Sequence, residues 1–306
     1  MKRRINKYIV LIISTLSVLF SSCEDVVQVD LDESDLDLVS VEAYVNTKEE
    51  NNVHVKLERT LPVDQTGANP PINGALVQIS DDSETPNIAT LKEYNGTGTY
   101  LLPPNVKYKT EPGRTYFLEI TLPDGVEINA SDYLRKVEPL DSVKVNLSAR
   151  GDYQFLAVFI NAPNYPSAVQ YYKWDIYING KMLYKSQNMV IANDELVDGN
   201  YIYDFEIFTD FAIDESDKIL FKGDTVKVEQ LSISQSAYDF YIGMINQAFT
   251  GSPYSVPPAN LSGNLTSSDG KKVLGIFSAR DISMGNTVVI GDDNFMPLAS
   301  RMSESN

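Results

Sequence analysis

Hydrophobic positions follow three different periods along this chain. Tyr8 to Phe20 is an apolar run of 13 residues interrupted only by Ser14, Thr15 and Ser17, with Lys2, Arg3, Arg4 and Lys7 ahead of it. It is shorter than the roughly 20 residues a helix needs to cross a bilayer, and small and acidic residues follow it, so it predicts a cleaved export signal over 1–22. From residue 38 the period becomes two. LVSVEAYV (38–45), VHVKLERT (53–60), ALVQIS (75–80), ATLKEY (89–94), TYFLEITL (115–122) and VEINAS (126–131) alternate apolar and polar side chains, which predicts half-buried strands. Turn signals separate them: the polar loop NTKEENN, Pro70-Pro71, Asn95-Gly96, Pro112-Gly113 and Asp124-Gly125. GTGTY (96–100) and SGNLTSSDG (262–270) read as turns, having neither the dinucleotide glycine spacing nor the GK[ST] of a phosphate loop.

A second run of strands begins at VEPLDSVKVNLSA (137–149) and continues through YQFLAVFINA, QYYKWDIYINGKMLY, YIYDFEIFTDF, DTVKVEQLSIS, KVLGIFSA and NTVVI. Within it, Asn179-Gly180 between alternating apolar residues is the strongest hairpin signal of the chain. One stretch changes period again. In SQSAYDFYIGMINQAF, Tyr238, Tyr241, Ile242, Ile245, Ala248 and Phe249 recur at three- and four-residue steps, with Ser234 or Ser236 as N-cap and Gly251 and Pro253 as stops, predicting a helix near 235–249. The pattern therefore predicts a mostly β protein. An N-terminal β-sandwich over 38–136 resembles immunoglobulin-like or carboxypeptidase-regulatory-like modules in outline, and a second β-sandwich-like domain over 137–306 carries the helix.

Composition sharpens this picture at the N-terminus. The single cysteine, Cys23, closes Phe20-Ser21-Ser22-Cys23, which resembles a bacterial lipobox, with Phe20 in place of the usual leucine. An acylated Cys23 is a membrane tether, since several acyl chains at about 0.8 kcal/mol per buried methylene hold stably. Cleavage before Cys23 removes four basic and no acidic residues and takes the formal charge from −17 to −21. That sign argues against nucleic acid, whose phosphates reward lysine and arginine. Glu24, Asp25, Asp30, Asp32, Glu33, Asp35 and Asp37 follow without a basic residue, giving a self-repelling spacer over 23–37; they lack the turn glycine and distal glutamate of a calcium loop.

The order of these pieces resembles a known family. An acidic post-lipobox stretch, LVSVEAYV, GALVQISDD, PGRTYFLEI, a change at EPLDSVKV, the strand YYKWDIY and a closing PPANLSGNLT…KKVLGIFSA are together similar to the Bacteroidetes lipoproteins filed as domain of unknown function forty-two forty-nine. The resemblance implies a lipid-anchored protein on the cell-surface side of the outer membrane, with Glu24-Asp25 as a modest export mark. It also implies a TonB-dependent nutrient transporter as partner. Asp141-Ser142-Val143 and Asp224-Thr225-Val226 look like the O-glycosylation acceptor pattern of exported proteins in those bacteria, which makes Ser142 and Thr225 candidate modification sites.

Candidate chemistry is narrow. The chain has one histidine, His54, which alternates with Val53, Val55 and Leu57 and is expected to face solvent, and its one cysteine is spoken for. A Ser-His-Asp triad and a zinc site with nitrogen or sulfur ligands lack parts, and no cofactor motif stands out. Carboxylates are plentiful, so a glycosidase-type acid pair remains the alternative enzymatic reading, and an adhesin-like structural role a further one. Asp194, Glu195 and Asp198, and Asp214, Glu215 and Asp217, form acidic loops read as solvated or structural rather than metal-binding. Tyr171, Tyr172, Trp174, Tyr177, Tyr201 and Tyr203, with Tyr184, form an aromatic cluster that strands favour for their own packing; its outward members are candidate binders of a small nutrient, glycan or peptide.

Overall fold

The structure, a computed structural model, describes residues 38–61, 67–166, 168–185, 188–197, 199–212, 220–248, 261 and 263–295. Cys23, Glu24, Asp25, Asp198, Asp214, Glu215 and Asp217 lie outside the described residues. The protein is mostly β. Alternation places every second residue of β1 (Val39–Asn46) and β2 (Val53–Arg59) inward, so Val41, Ala43, Val45, Val53, Val55 and Leu57 are all buried. β3 (Leu76–Asp81), β4 (Ala89–Tyr94), β5 (Thr99–Leu101), β6 (Arg114–Thr121) and β7 (Glu127–Leu134) complete the first layer system. The strand order is β7-β6-β3-β4-β5-β2-β1. β4 changes partner halfway: Ala89 to Leu91 pair with β3, while Lys92 to Tyr94 pair with β5. One continuous sheet thereby wraps around a single core containing Leu57, Ile79, Tyr100, Tyr116, Leu118 and Phe277.

The outer edges of this sheet are supplied from the far end of the chain. β16 (Val273–Arg280) adds parallel to β1 in register Val39↔Val273 through Asn46↔Arg280, and β15 (Thr266–Ser267) adds to β7. Residues expected from the sequence to belong to the unit beginning at 137 therefore hydrogen-bond into the sheet that begins at 39. The two edges also meet each other. Asn264 donates to the carbonyls of Ser131 (2.8 Å) and Phe277 (2.9 Å), and Asp132 accepts from Ala279 N at 2.8 Å, so side chains bridge β7 to β16 where no ladder runs. Parallel pairing needs a long crossover, which is why period-two patterning could reveal the strand but not its neighbour.

The second layer system sandwiches a three-stranded sheet, β13-β9-β8, against a larger one. β8 (Ser142–Arg150), β9 (Tyr153–Ala162) and β13 (Ile202–Ala212) form the small sheet, with register shifts along β9–β13. The larger is built on β10 (Tyr171–Ile178) and β14 (Thr225–Ile233), with β11 (Lys181–Met182), β12 (Val190–Asn193), β17 (Ile282–Met284) and β18 (Val288–Val289) at its margins. Asn179 and Gly180 both have positive φ (48° and 76°) and close the β10–β11 hairpin as a two-residue primed turn requires. Val145, Val158, Ile160, Trp174, Ile176 and Val228 fill the space between the sheets.

The helix, α1 (Gln235–Ala248), starts where expected. Ser234 Oγ accepts from Ala237 N at 3.3 Å as its N-cap, and Ala237 and Tyr241 bury its inner face against Ile233 and Ile276. Three short strands differ from the sequence expectation. Thr99–Leu101 overlaps a stretch read as a turn, Thr266–Ser267 falls in another, and β12 runs up to the acidic loop at Asp194 without having been predicted as a strand. Such strands exist because a neighbour's backbone needs pairing, so their own side chains carry no period.

Candidate functional site

β10 separates two surroundings. Its even residues Tyr172, Trp174 and Ile176 point into the second core, and its odd residues Lys173, Asp175 and Tyr177 point the other way. In the antiparallel β10–β14 pair, opposed residues share a face, so Leu231, Glu229 and Lys227 of β14 stand beside Lys173, Asp175 and Tyr177. That face looks across to Glu42 and Tyr44 of β1 and Arg280 of β16, and α1 closes one side with Phe240, Tyr241 and Met244. The result is a cleft of about 450 Å³.

Charge in the cleft is concentrated and mostly paired. Glu229, 3% exposed, takes Lys48 Nζ at 2.7 Å, Lys227 Nζ at 3.2 Å and the Tyr177 hydroxyl at 3.0 Å. Buried Lys173 is ion-paired with Asp175; burial pulls the lysine's pKa down and Asp175 partly restores it. Arg280 is held differently. Its guanidinium lies 4.7 Å from the Tyr44 ring centre, and Nη2 donates to the Tyr241 hydroxyl at 2.9 Å. Burial works against its charge, but Tyr241, Asp175, Tyr44 and Glu42 together raise its pKa above the ordinary value. Tyr44 in turn stacks on His54, 5.2 Å between centres and 13° from parallel.

His54 was expected to face solvent; the structure half-buries it, with Nδ1 sealed and without an acceptor or donor partner among the described residues. The physical reason is the cross-strand partner: Tyr44 sits directly opposite in register and covers the imidazole. Burial lowers its pKa. Tyr44, buried beside it, has its own pKa raised.

The aromatic residues singled out by sequence do not form one surface. Tyr172 and Trp174 stack at 5.9 Å inside the second core, where Trp174 Nε1 donates to Gln230 Oε1 at 2.9 Å. Together with Phe205, Leu196 and Val197 they wall a second, largely apolar pocket of about 230 Å³. Tyr171 packs on Tyr238 of α1 (5.0 Å), and Tyr177 faces the cleft. Tyr201 and Tyr203 pair at 4.3 Å on the surface; the Tyr201 hydroxyl donates to Asp141 at 2.7 Å, and that bond pushes its pKa up to about 12. Tyr184, 77% exposed, stands at the cleft rim.

The remaining sites are structural in their surroundings. Ser142 Oγ accepts from Asn161 at 2.9 Å, and Thr225 Oγ1 donates to Asn179 at 3.2 Å; both half-buried hydroxyls are engaged at strand starts. Asp194 is buried rather than solvated and accepts from Gln170 N at 2.8 Å. Among the described residues no three His, Cys, Asp or Glu side chains converge as metal ligands. Nothing in the sequence marks Arg280, Lys173 and Glu229, because a charged residue alternating within a strand signals only a solvated face. Their convergence depends on β16 returning to β1.

The family model described as domain of unknown function (DUF4249) matches residues 24–285. The chain belongs to that family, and the match runs from the first sheet through β17 of the second sandwich and covers all of the cleft's walls. No curated protein matches it.

Proposed function

We propose that this chain is a non-enzymatic binding protein, lipid-anchored through Cys23 on the outer face of the outer membrane, that serves a TonB-dependent nutrient transporter. The cleft is the observation that carries the binding reading. At about 450 Å³ it falls within the size range of small-ligand sites, whereas the apolar pocket at about 230 Å³ falls below it. Aromatic rings, two cation–carboxylate sets and an arginine lining one concavity suit the orientation of a polar solute. The anchor and the transporter rest on the lipobox resemblance and on the company that members of the family keep.

Two measurements test this. Purification of the acylated protein in mild detergent is expected to co-isolate a large outer-membrane barrel of the TonB-dependent class; recovery without any barrel counts against the transporter role. Labelled palmitate is expected to enter the wild type and not Cys23→Ala, and equal labelling of both removes the anchor. The carboxylate-pair hydrolase is the second reading, favoured by Asp175 and Glu229 standing directly opposite across β10–β14. Both carboxylates are occupied, Asp175 by Lys173 and Glu229 by Lys48, Lys227 and Tyr177, which disfavours acid catalysis there. Turnover of a glycan or peptide that disappears in Glu229→Gln would revive it.

A further inference from the structure

We propose that the cleft recognises a carboxylate, seated on Arg280 beside the Tyr44 ring, so that its ligand is a small singly charged acid. This rests on the binding reading above and adds the chemistry of what is bound.

The chain has 42 acidic against 25 basic residues, so carboxylates are the commonest partner a cation here can find. Lys173 and Lys48, the cations of the cleft wall that are at least half-buried besides Arg280, each hold one, while Lys185 stands exposed to water at the rim. Arg280 holds none: among the described residues no carboxylate oxygen lies within 4.0 Å of its nitrogens, and its only hydrogen bond goes to a neutral phenol. Its Nε is sealed from solvent with no acceptor. Withdrawing a guanidinium from water costs several kcal/mol; Asp175 and Glu42 offset that cost from beyond contact distance, so they support the charge without occupying its donors. An arginine held this way, by a ring and one hydroxyl, is preorganised with a donor fork left over, and a planar carboxylate matches that fork.

The surroundings choose among anions. Arg280, Lys173, Lys48 and Lys185 line the cleft with Glu42, Asp175 and Glu229, a surplus of one positive charge on a strongly acidic protein. A monoanion balances that surplus, while a phosphate dianion is repelled by the carboxylates nearby. The apolar parts of Tyr44, Phe240 and Met244 leave room for a ring or aliphatic portion next to the acid group. A peptide C-terminus and a uronic sugar share this chemistry.

Isothermal titration calorimetry on the detergent-solubilised full chain tests it with two probe pairs: N-acetyl-trialanine against its C-terminal amide, and galacturonate against its methyl ester. At least one free acid is expected to bind, with its neutral counterpart weaker by about tenfold or more, and the responding pair identifies the source. Arg280→Lys, which keeps charge but loses the fork, is expected to lose about tenfold, and Arg280→Gln more. Binding of a neutral counterpart within about threefold of its acid, equal competition by inorganic phosphate, unchanged affinity in both Arg280 variants, or no binding of either acid each overturns the proposal. If an Arg280 variant does not fold, the acid-against-neutral comparison on the wild type still decides. Co-isolation of the barrel does not depend on this arginine, so the two readings fail separately.

Discussion

The two sides of β10 have opposite characters although they are built from alternate residues of the same eight. On one side Trp174, Tyr172 and Ile176 pack between sheets and leave a small apolar pocket; on the other Lys173, Asp175 and Tyr177 line a larger cleft held together by charge. The apolar side is stabilised by area, which is insensitive to detail. The polar side depends on each buried charge meeting a partner, and among the described residues Arg280 is the buried cation of the cleft with no carboxylate in contact. A strand that is buried on both faces can thus hold the fold with one and present chemistry with the other.

Removing the ring common to both sides is the harshest way to break this contrast. Trp174→Ala is expected to destabilise by about 4 kcal/mol, read as a lowered urea midpoint, because the indole is 5% exposed and bonded to Gln230. Next comes the floor of the cleft alone. Gly275 has φ +100°, and an added Cβ would stand 1.9 Å from the Val41 carbonyl oxygen. Gly275→Ala is expected to cost about 3 kcal/mol and to abolish binding in the cleft, while Trp174 fluorescence in the folded fraction stays unchanged. Preserved acid binding in this variant would show that β16 need not lie close to β1.

A pH test sharpens the cleft side further. Burial raises the pKa of Asp132 from 3.8 to about 6, against the opposing hydrogen bonds from Ala279 and Tyr133, and Asp132 tethers the strand that ends at Arg280. With the folded pKa above the unfolded one, protonation favours the native state. This contribution is complete below pH 3.8 and is lost as pH rises toward 6. It amounts to about 2–3 kcal/mol, and Asp132→Asn is expected to remove that slope from the stability–pH curve. A slope that survives in the variant assigns it to another group. The smallest effect lies at the mouth of the apolar pocket: Leu196, 94% exposed, should change stability by less than about 0.5 kcal/mol when made Ala, as unfolding midpoints will show.

Legibility in the sequence follows the same divide. β1, β2, β3, β6, β10 and β14 and the helix were visible because their apolar side chains recur every two residues or every three to four. The Asn179-Gly180 hairpin was visible because few residues accept positive φ twice in succession. Of the aromatics, Trp174 and Tyr172 proved to be core, as the propensity of strands for such rings suggests, and of the six Tyr177 and one edge of Trp174 line the cleft. Arg280 could not be picked out, since an arginine closing a strand before Asp281 reads as a solvated strand end.

The sequence alone determined the β character, the periodic strands, the helix Gln235–Ala248 and the narrowness of the available chemistry. These are properties of local periodicity and of residue types that are present or missing. Only the tertiary structure decided that β16 returns to lie parallel to β1, more than two hundred residues away, and that three strands and a helix bring Arg280, Tyr44, Lys173 and Tyr241 around one cleft. Pairing across such a distance is set by which sheet edge remains unsatisfied once the local hairpins have formed, and no window of sequence contains that information.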